Sequence, residues 1–156
     1  MIRKAKMEDV HNIKALLSSY AKKRLLLDRS LVCLYENIRD YFVAEKDAKF
    51  AGCCALHFCW EGLAELRSLA VKEKFKENGY GMRLVQAALE EAKQFGAKKV
   101  FTLTFVPDFF KKAGFIEIPK EQLPQKIWAE CIHCVHFPNC RETAMEIKIN
   151  QSKGEN

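Results

Sequence analysis

No run of about 18 uncharged apolar residues occurs anywhere in the chain, which excludes a membrane-spanning helix. The opening residues, Met1 to Lys6, lead into acidic and polar positions and not into the apolar core of a secretion signal. A soluble, cytoplasmic protein is therefore expected. Internal repeats and low-complexity tracts are also missing. Lys and Arg outnumber Asp and Glu by 26 to 20, a formal net charge of +6, without the one-sided concentration that marks a nucleic-acid binder. A small polyanionic ligand accounts for the excess equally well. Cysteine is not scarce, but its number, seven, is odd, and Cys53, Cys54 and Cys59 fall in strand-like positions where thiols behave as small apolar groups. That usage points to reduced thiols in a reducing compartment. At 156 residues and 49% hydrophobic content, the chain suits one domain with its own core, expected over residues 1–150 with 151–156 as a frayed tail.

Against these absences stands one dense stretch, Glu65 to Met82. An apolar strand-like run ends at Val71, and a charged loop follows. Gly79 and Gly81 then open a helix with apolar residues at Leu84, Val85, Ala88, Leu89, Ala92 and Phe95. Two glycines let a backbone approach a ligand closely, and the unpaired N–H groups of a first helical turn point outward with the positive end of the helix dipole. A phosphate or diphosphate suits such a turn. The loop lacks the Gly-Lys-Ser/Thr of a nucleoside-triphosphate loop and the three-glycine dinucleotide fingerprint.

Around this stretch the pattern reads as a mixed sheet with helices on both faces. Ile2 to Ala5 forms a short strand. Asp9 caps a helix with face Val10, Ile13, Leu16, Leu17 and Tyr20, and Ser30 caps a second with face Leu31, Leu34, Tyr35 and Ile38. Strands follow at Tyr41 to Glu45, Lys49 to Cys59 and Leu63 to Val71. After the glycine-loop helix, Lys99 to Thr104 is a strand parallel to Leu63–Val71, because a helix joins the two. Pro107 starts a short helix over Asp108 to Ala113 that Gly114 ends, and strands follow at Phe115–Ile118 and Thr143–Ile149.

The loop Lys76-Glu77-Asn78-Gly79-Tyr80-Gly81 resembles the Gln/Arg-x-x-Gly-x-Gly/Ala loop of the GCN5-related N-acetyltransferase (GNAT) superfamily, with lysine in the first place. Six blocks in order (Leu25–Ser30, Gly52–His57, Glu65–Val71, Val100–Thr104, Pro107–Phe115 and Leu123–Cys131) look together like the acetyltransferase domain of the N-acetylglutamate synthases, and most like their short stand-alone bacterial form. The resemblance implies an α/β GNAT fold whose two central parallel strands splay apart around acetyl-CoA. It further implies acetyl transfer to the α-amino group of L-glutamate, the first step of arginine biosynthesis. The coenzyme would meet Leu69, Ala70, Val71, Lys76, Glu77, Asn78, Gly79, Tyr80, Gly81 and Met82. The acceptor would meet Arg29, the backbone of Leu27 and Ser68, and Arg141 with Thr143 on the last strand, with Lys126 competing for the second carboxylate. Two separated guanidiniums suit a substrate with two carboxylates. Small molecules are thus the expected partners, without nucleic acid or membrane, and a homodimer is compatible with the sequence.

An acceptor amine is an ammonium at neutral pH and needs a base before it attacks a thioester. By resemblance Glu65 is that base, with His57 as the rival nearer neutral pKa, and the competing reading of Glu65 is a solvent-facing carboxylate paired with Arg67 or a lysine. A backbone N–H at Leu69 to Val71 would meet the developing oxyanion. Many relatives carry a tyrosine four residues before the Gly-Phe pair to protonate the thiolate. Here Phe110 stands there, and the role passes by resemblance to Thr104. Cys131, Cys134 and Cys140, with His133 and His136, have the composition of a zinc site or a disulfide, or else shape a loop over the acceptor pocket; no metal is expected. Two alternatives stand beside glutamate acetylation: a different amino-acid or protein amine as acceptor, and a metal- or redox-responsive module built on the Cys131–Cys140 loop.

Overall fold

A computed structural model describes residues 1–123 and 142–150, so Lys126, Arg141, the Cys131–Cys140 loop and the tail lie outside it. The described strands are β1 (Ile2–Lys4), β2 (Tyr41–Lys46), β3 (Lys49–Trp60), β4 (Leu63–Val71), β5 (Lys99–Thr104), β6 (Ile116–Glu117) and β7 (Thr143–Lys148). The helices are α1 (Val10–Lys22), α2 (Leu31–Glu36), α3 (Tyr80–Gln94) and α4 (Pro107–Lys112). The strands form one mixed sheet in the order β1-β2-β3-β4-β5-β7-β6, and β4 and β5 are parallel, as the connecting helix requires. The order of elements along the chain is the expected one.

Both faces of the sheet are covered. On one, α3 sets Leu84, Val85, Ala88 and Ala92 against Leu56, Leu66 and Val100. On the other, Val10, Ile13 and Leu17 of α1 and Leu34 of α2 pack on Val43, Cys53 and Ala55. Burying each large apolar side chain contributes about 1.5–3 kcal/mol, which is why period-3.6 and period-2 patterns find each other across this sheet. Three expectations are corrected. Leu31 and Tyr35 lie exposed, and Ile38 leaves α2 for a separate 3-10 turn, Ile38–Asp40, because α2 is too short to present one continuous face. Phe95 is 71% exposed just beyond α3, where its ring stacks near Phe58 and not in the core. Asp9 stands at the start of α1 without capping it, since its carboxylate accepts the Lys6 N–H at 2.7 Å and pairs with Arg3. Ser30 does cap α2, accepting the Cys33 N–H at 3.1 Å.

Arg3 ties three elements together, reaching both oxygens of Asp9 at 2.8 and 2.9 Å and Glu45 on β2 at 3.0 Å. The bond to Arg3 is the main reason both carboxyls are held below the usual range, while the guanidinium is held more firmly protonated. Depressed carboxylates stabilise the fold fully above their unfolded values and lose that contribution as pH falls through the folded ones. Asp9→Asn should therefore cost about 2 kcal/mol near neutrality, the scale of a charge-assisted hydrogen bond. Melts from pH 7 down to pH 3 should show a shallower acid limb in the variant than in the wild type.

Candidate active site

Pairing between β4 and β5 stops early. Leu63, Ala64 and Glu65 face Lys99, Val100 and Phe101, after which β4 runs on to Val71 and β5 to Thr104 without partnering each other. At the fork the Thr102 hydroxyl donates to the Leu66 carbonyl at 2.8 Å, so a side chain satisfies a group that ladder pairing would otherwise take. Just beyond, Ser68 takes a left-handed conformation (φ 57°), and the β3–β4 register shifts between Ala70 opposite Cys53 and Arg67 opposite Ala55. A bulge of this kind bends its strand and re-aims the side chains after it. Strain at a non-glycine residue needs support, and Ser68 has it: the Tyr41 hydroxyl donates to Ser68 Oγ at 3.3 Å and the Cys53 thiol to the Ser68 carbonyl at 3.5 Å.

The splayed strands wall a cavity of about 420 Å³. Of the residues expected to meet coenzyme or acceptor, Ser68, Leu69, Ala70, Val71, Lys76, Gly79, Gly81, Met82 and Thr104 line it. Its far wall is α4, with Phe109 and Phe110, and its lip is the loop after α1, through Leu25 and Leu26. The lip is pinned from behind, because Lys14 pairs with Asp28 at 3.0 Å and donates to the Arg29 carbonyl at 2.7 Å, and Ser18 donates to Asp28 at 3.1 Å.

At the opposite end Gly79 (φ 75°) begins α3, and a Cβ added at Gly81 would sit 3.3 Å from the Phe109 ring. Glycine is needed at the first for the backbone turn and at the second for close approach. Glu77 and Asn78 are exposed in a 3-10 turn, Glu73–Asn78, and neither lines the cavity. The Tyr80 ring is buried edge-on against Phe75, so only its backbone is left to face a ligand.

The comparisons with known proteins agree with this geometry. Residues 7–115 match the model of the acetyltransferase (GNAT) family. The chain belongs to that family. It is 42% identical over 144 residues, 92% of this chain and 93% of the other, to an uncharacterised N-acetyltransferase of Chlorobaculum tepidum. An amino-acid acetyltransferase of Mycobacterium tuberculosis is 37% identical over 83% of this chain and 76% of its own length. The crystal structure of N-acetylglutamate synthase from Neisseria gonorrhoeae, complexed with coenzyme A and N-acetyl-glutamate, matches with a TM-score of 0.87 at 25% identity, over 97% of this chain and 35% of that one. The chain is thus an acetyl-CoA-dependent N-acetyltransferase of GNAT fold.

The cavity suits this cosubstrate. Its walls are largely apolar, as a pantetheine arm requires, and it ends on the glycine-opened N-terminus of a 15-residue helix, where a diphosphate gains backbone donors and the dipole. Thr104 is 6% exposed at the end of β5, and its Oγ1 accepts the Val106 N–H at 2.9 Å. That accepted bond orients the hydroxyl and leaves its own proton for donation. Thr143 is paired directly with Thr104 across β5 and β7 but does not line the cavity.

Glu65 is 6% exposed, so it is not solvent-facing, and it pairs with Arg67 Nη1 at 3.3 Å. Neither Glu65 nor Leu27 nor Arg29 lines this cavity. The Arg29 and Arg67 charges both act on the Tyr41 phenol. Burial is the largest influence on that phenol and pushes it up to about 12, with Ser68 pulling the other way. The Tyr41 hydroxyl is therefore a neutral donor to Ser68 throughout the working pH range. His57, the rival base, neighbours Glu65 across β3 and β4, and its Nδ1 meets Asp40 at 2.7 Å.

Sequence reading missed Tyr20, Tyr41 and Thr102 as site residues, and it noticed Arg67 only as a partner for Glu65. Periodicity puts Tyr20 on the apolar face of α1. Its hydroxyl in fact donates to the Val71 carbonyl at 2.8 Å and accepts the Val71 N–H at 3.2 Å, closing the tip of β4, with Lys76 Nζ 5.5 Å from its ring centroid. No local signal distinguishes such a tyrosine from a packing one. Tyr20→Phe should raise the KM for acetyl-CoA about five-fold, the scale of one net hydrogen bond, with kcat within two-fold. Steady-state kinetics against acetyl-CoA checks this, and an unchanged KM would mean the contact is incidental.

Proposed function

We propose that the protein transfers an acetyl group from acetyl-CoA to the α-amino group of L-glutamate, forming N-acetylglutamate, the first step of arginine biosynthesis. The observation that carries this reading is the fork that opens where β4–β5 pairing ends at Glu65, and that sets the Glu65 carboxylate and the Arg67 guanidinium beside the apolar cavity. Relatives named amino-acid acetyltransferase support the amino-acid acceptor, and the chain spans 28–29% of the longer ones among them, such as those of Aliivibrio fischeri and Neisseria meningitidis.

In the mechanism acetyl-CoA supplies the activated acetyl group. Glu65, paired with Arg67 at 3.3 Å, takes the proton of the α-ammonium directly or through a water. A backbone N–H at Leu69 or Ala70, that of Val71 being taken by the Tyr20 hydroxyl, faces the carbonyl oxygen as it gains charge, with the Ser68 bulge setting its direction. Thr104 donates a hydrogen bond to the departing thiolate, which with a thiol pKa of about 8.5 is stable enough to need little more. Arg29 and Arg141 hold the acceptor's carboxylates, and Leu27 and Ser68 contact it through their backbones. Thiol release from acetyl-CoA across a panel of free amino acids and peptide amines tests the reading. L-Glutamate is expected to exceed the other acceptors at least ten-fold in kcat/KM. A flat panel, or a peptide amine as the preferred acceptor, would overturn it.

A further inference from the structure

We propose that Arg67 reads the α-carboxylate of the acceptor, so that Glu65 and Arg67 act as one unit for the zwitterionic head of a free α-amino acid. The inference rests on the amino-acid acceptor proposed above and adds to it the residue that separates free amino acids from peptide amines. Glu65 and Arg67 stand two apart on β4, on the same face of the strand, and their side chains converge to 3.3 Å. Both are largely withdrawn from water, at 8% and 11% side-chain exposure. Arg67 also lines the cavity between the splayed strands, while Glu65, its partner at 3.3 Å, does not.

The head of an α-amino acid has complementary geometry. Its ammonium nitrogen and nearest carboxylate oxygen are roughly 3 Å apart by bond lengths and angles alone. Laid against the pair with the ammonium at Glu65 and the carboxylate at Arg67, it converts one ion pair into two antiparallel ones. No buried charge is left bare, which is the condition under which a desolvated ion pair is tolerated. A guanidinium can also grip a carboxylate through two parallel N–H donors, a match that an amide cannot reproduce. A peptide N-terminus has an amide at this position, so Arg67 would face a neutral group, and the cost falls on peptide acceptors specifically. With the α-carboxylate on Arg67, Arg29, whose charge also acts on the Tyr41 phenol, and Arg141 together serve the carboxylate of the acceptor's side chain.

The test crosses enzyme and substrate. kcat/KM is measured for wild type, Arg67→Met and Arg67→Lys with L-glutamate and with L-glutamate whose α-carboxylate is replaced by the carboxamide. Wild type should prefer glutamate about 100-fold. Arg67→Met should lose most of that preference, with glutamate falling about 100-fold and the α-amide less than three-fold, and Arg67→Lys should recover part of it. Equal losses on both substrates would mean that Arg67 only supports the strand, and would overturn the inference while glutamate acetylation stands. If Arg67→Met does not fold, Arg67→Lys decides, because an unchanged preference for glutamate over the α-amide in that variant overturns the assignment, as does wild-type turnover of the α-amide within three-fold of glutamate. Absence of glutamate turnover in wild type would instead remove the acceptor reading. The same acid and α-amide comparison would then be run on whichever free amino acid is accepted, and if none is accepted the inference falls.

Discussion

Glu65→Gln should lower kcat about 10²–10⁴-fold at pH 7, the usual contribution of a positioned general base, while acetyl-CoA affinity changes less than two-fold. The variant keeps shape and hydrogen-bonding capacity and removes only the proton-accepting charge. The loss should shrink only as pH rises well above about 8, the value of a peptide α-amine, because the ammonium of a free amino acid beside its own carboxylate titrates higher, and the base matters less once it is unprotonated. The separation from coenzyme binding follows from the structure, because Glu65 sits at the fork and does not line the cavity. A pH–rate profile together with titration of acetyl-CoA checks both halves. Equal loss of turnover and coenzyme affinity would mean that the Glu65–Arg67 pair holds the strand and does no chemistry. His57 would then be the group to test, since its imidazole is already held by Asp40 at 2.7 Å.

Arg29→Ala should lower kcat/KM for glutamate about 100-fold, mainly through KM, with the KM for acetyl-CoA within three-fold. A guanidinium paired with a carboxylate in a desolvated pocket is worth about 1.5–3 kcal/mol as charge-assisted hydrogen bonds, and truncating it leaves the substrate's charge uncompensated. The loop carrying Arg29 is anchored independently, by Lys14 and Ser18 on Asp28 and by Lys14 on the Arg29 carbonyl, none of which uses the Arg29 side chain. Glutamate turnover that survives the substitution would transfer the carboxylate role elsewhere and favour a different acceptor.

How much of the site could be read from residues alone depends on how locally each contact is made. Gly79 and Gly81 announce a ligand-facing helix start because a positive φ and a close approach are backbone requirements that side-chain identity reveals. Helix α1, helix α3 and strands β2 to β5 follow from hydrophobic period, because burial of an amphipathic face is the dominant local instruction. Tyr20 and Thr102 were invisible for the opposite reason. Their hydroxyls act on Val71 and Leu66, residues distant in sequence, and nothing near either residue announces the partner. Asp9 was misread through competition, since a guanidinium at 2.8 Å is a stronger partner for a carboxylate than a helix N–H.

By itself the amino-acid sequence determined the order of strands and helices, the parallel pairing that a crossover helix imposes, and the phosphate-suited turn at 76–82. Each of these depends on periodicity or on backbone conformation, which neighbouring residues dictate. Only the tertiary structure decided where β4 and β5 part, that Ser68 turns the strand at the fork, and that Arg67 stands against Glu65 with the Arg29 charge close by. Those facts depend on which hydrogen bonds prevail once distant strands meet, and that competition is settled by packing across the sheet.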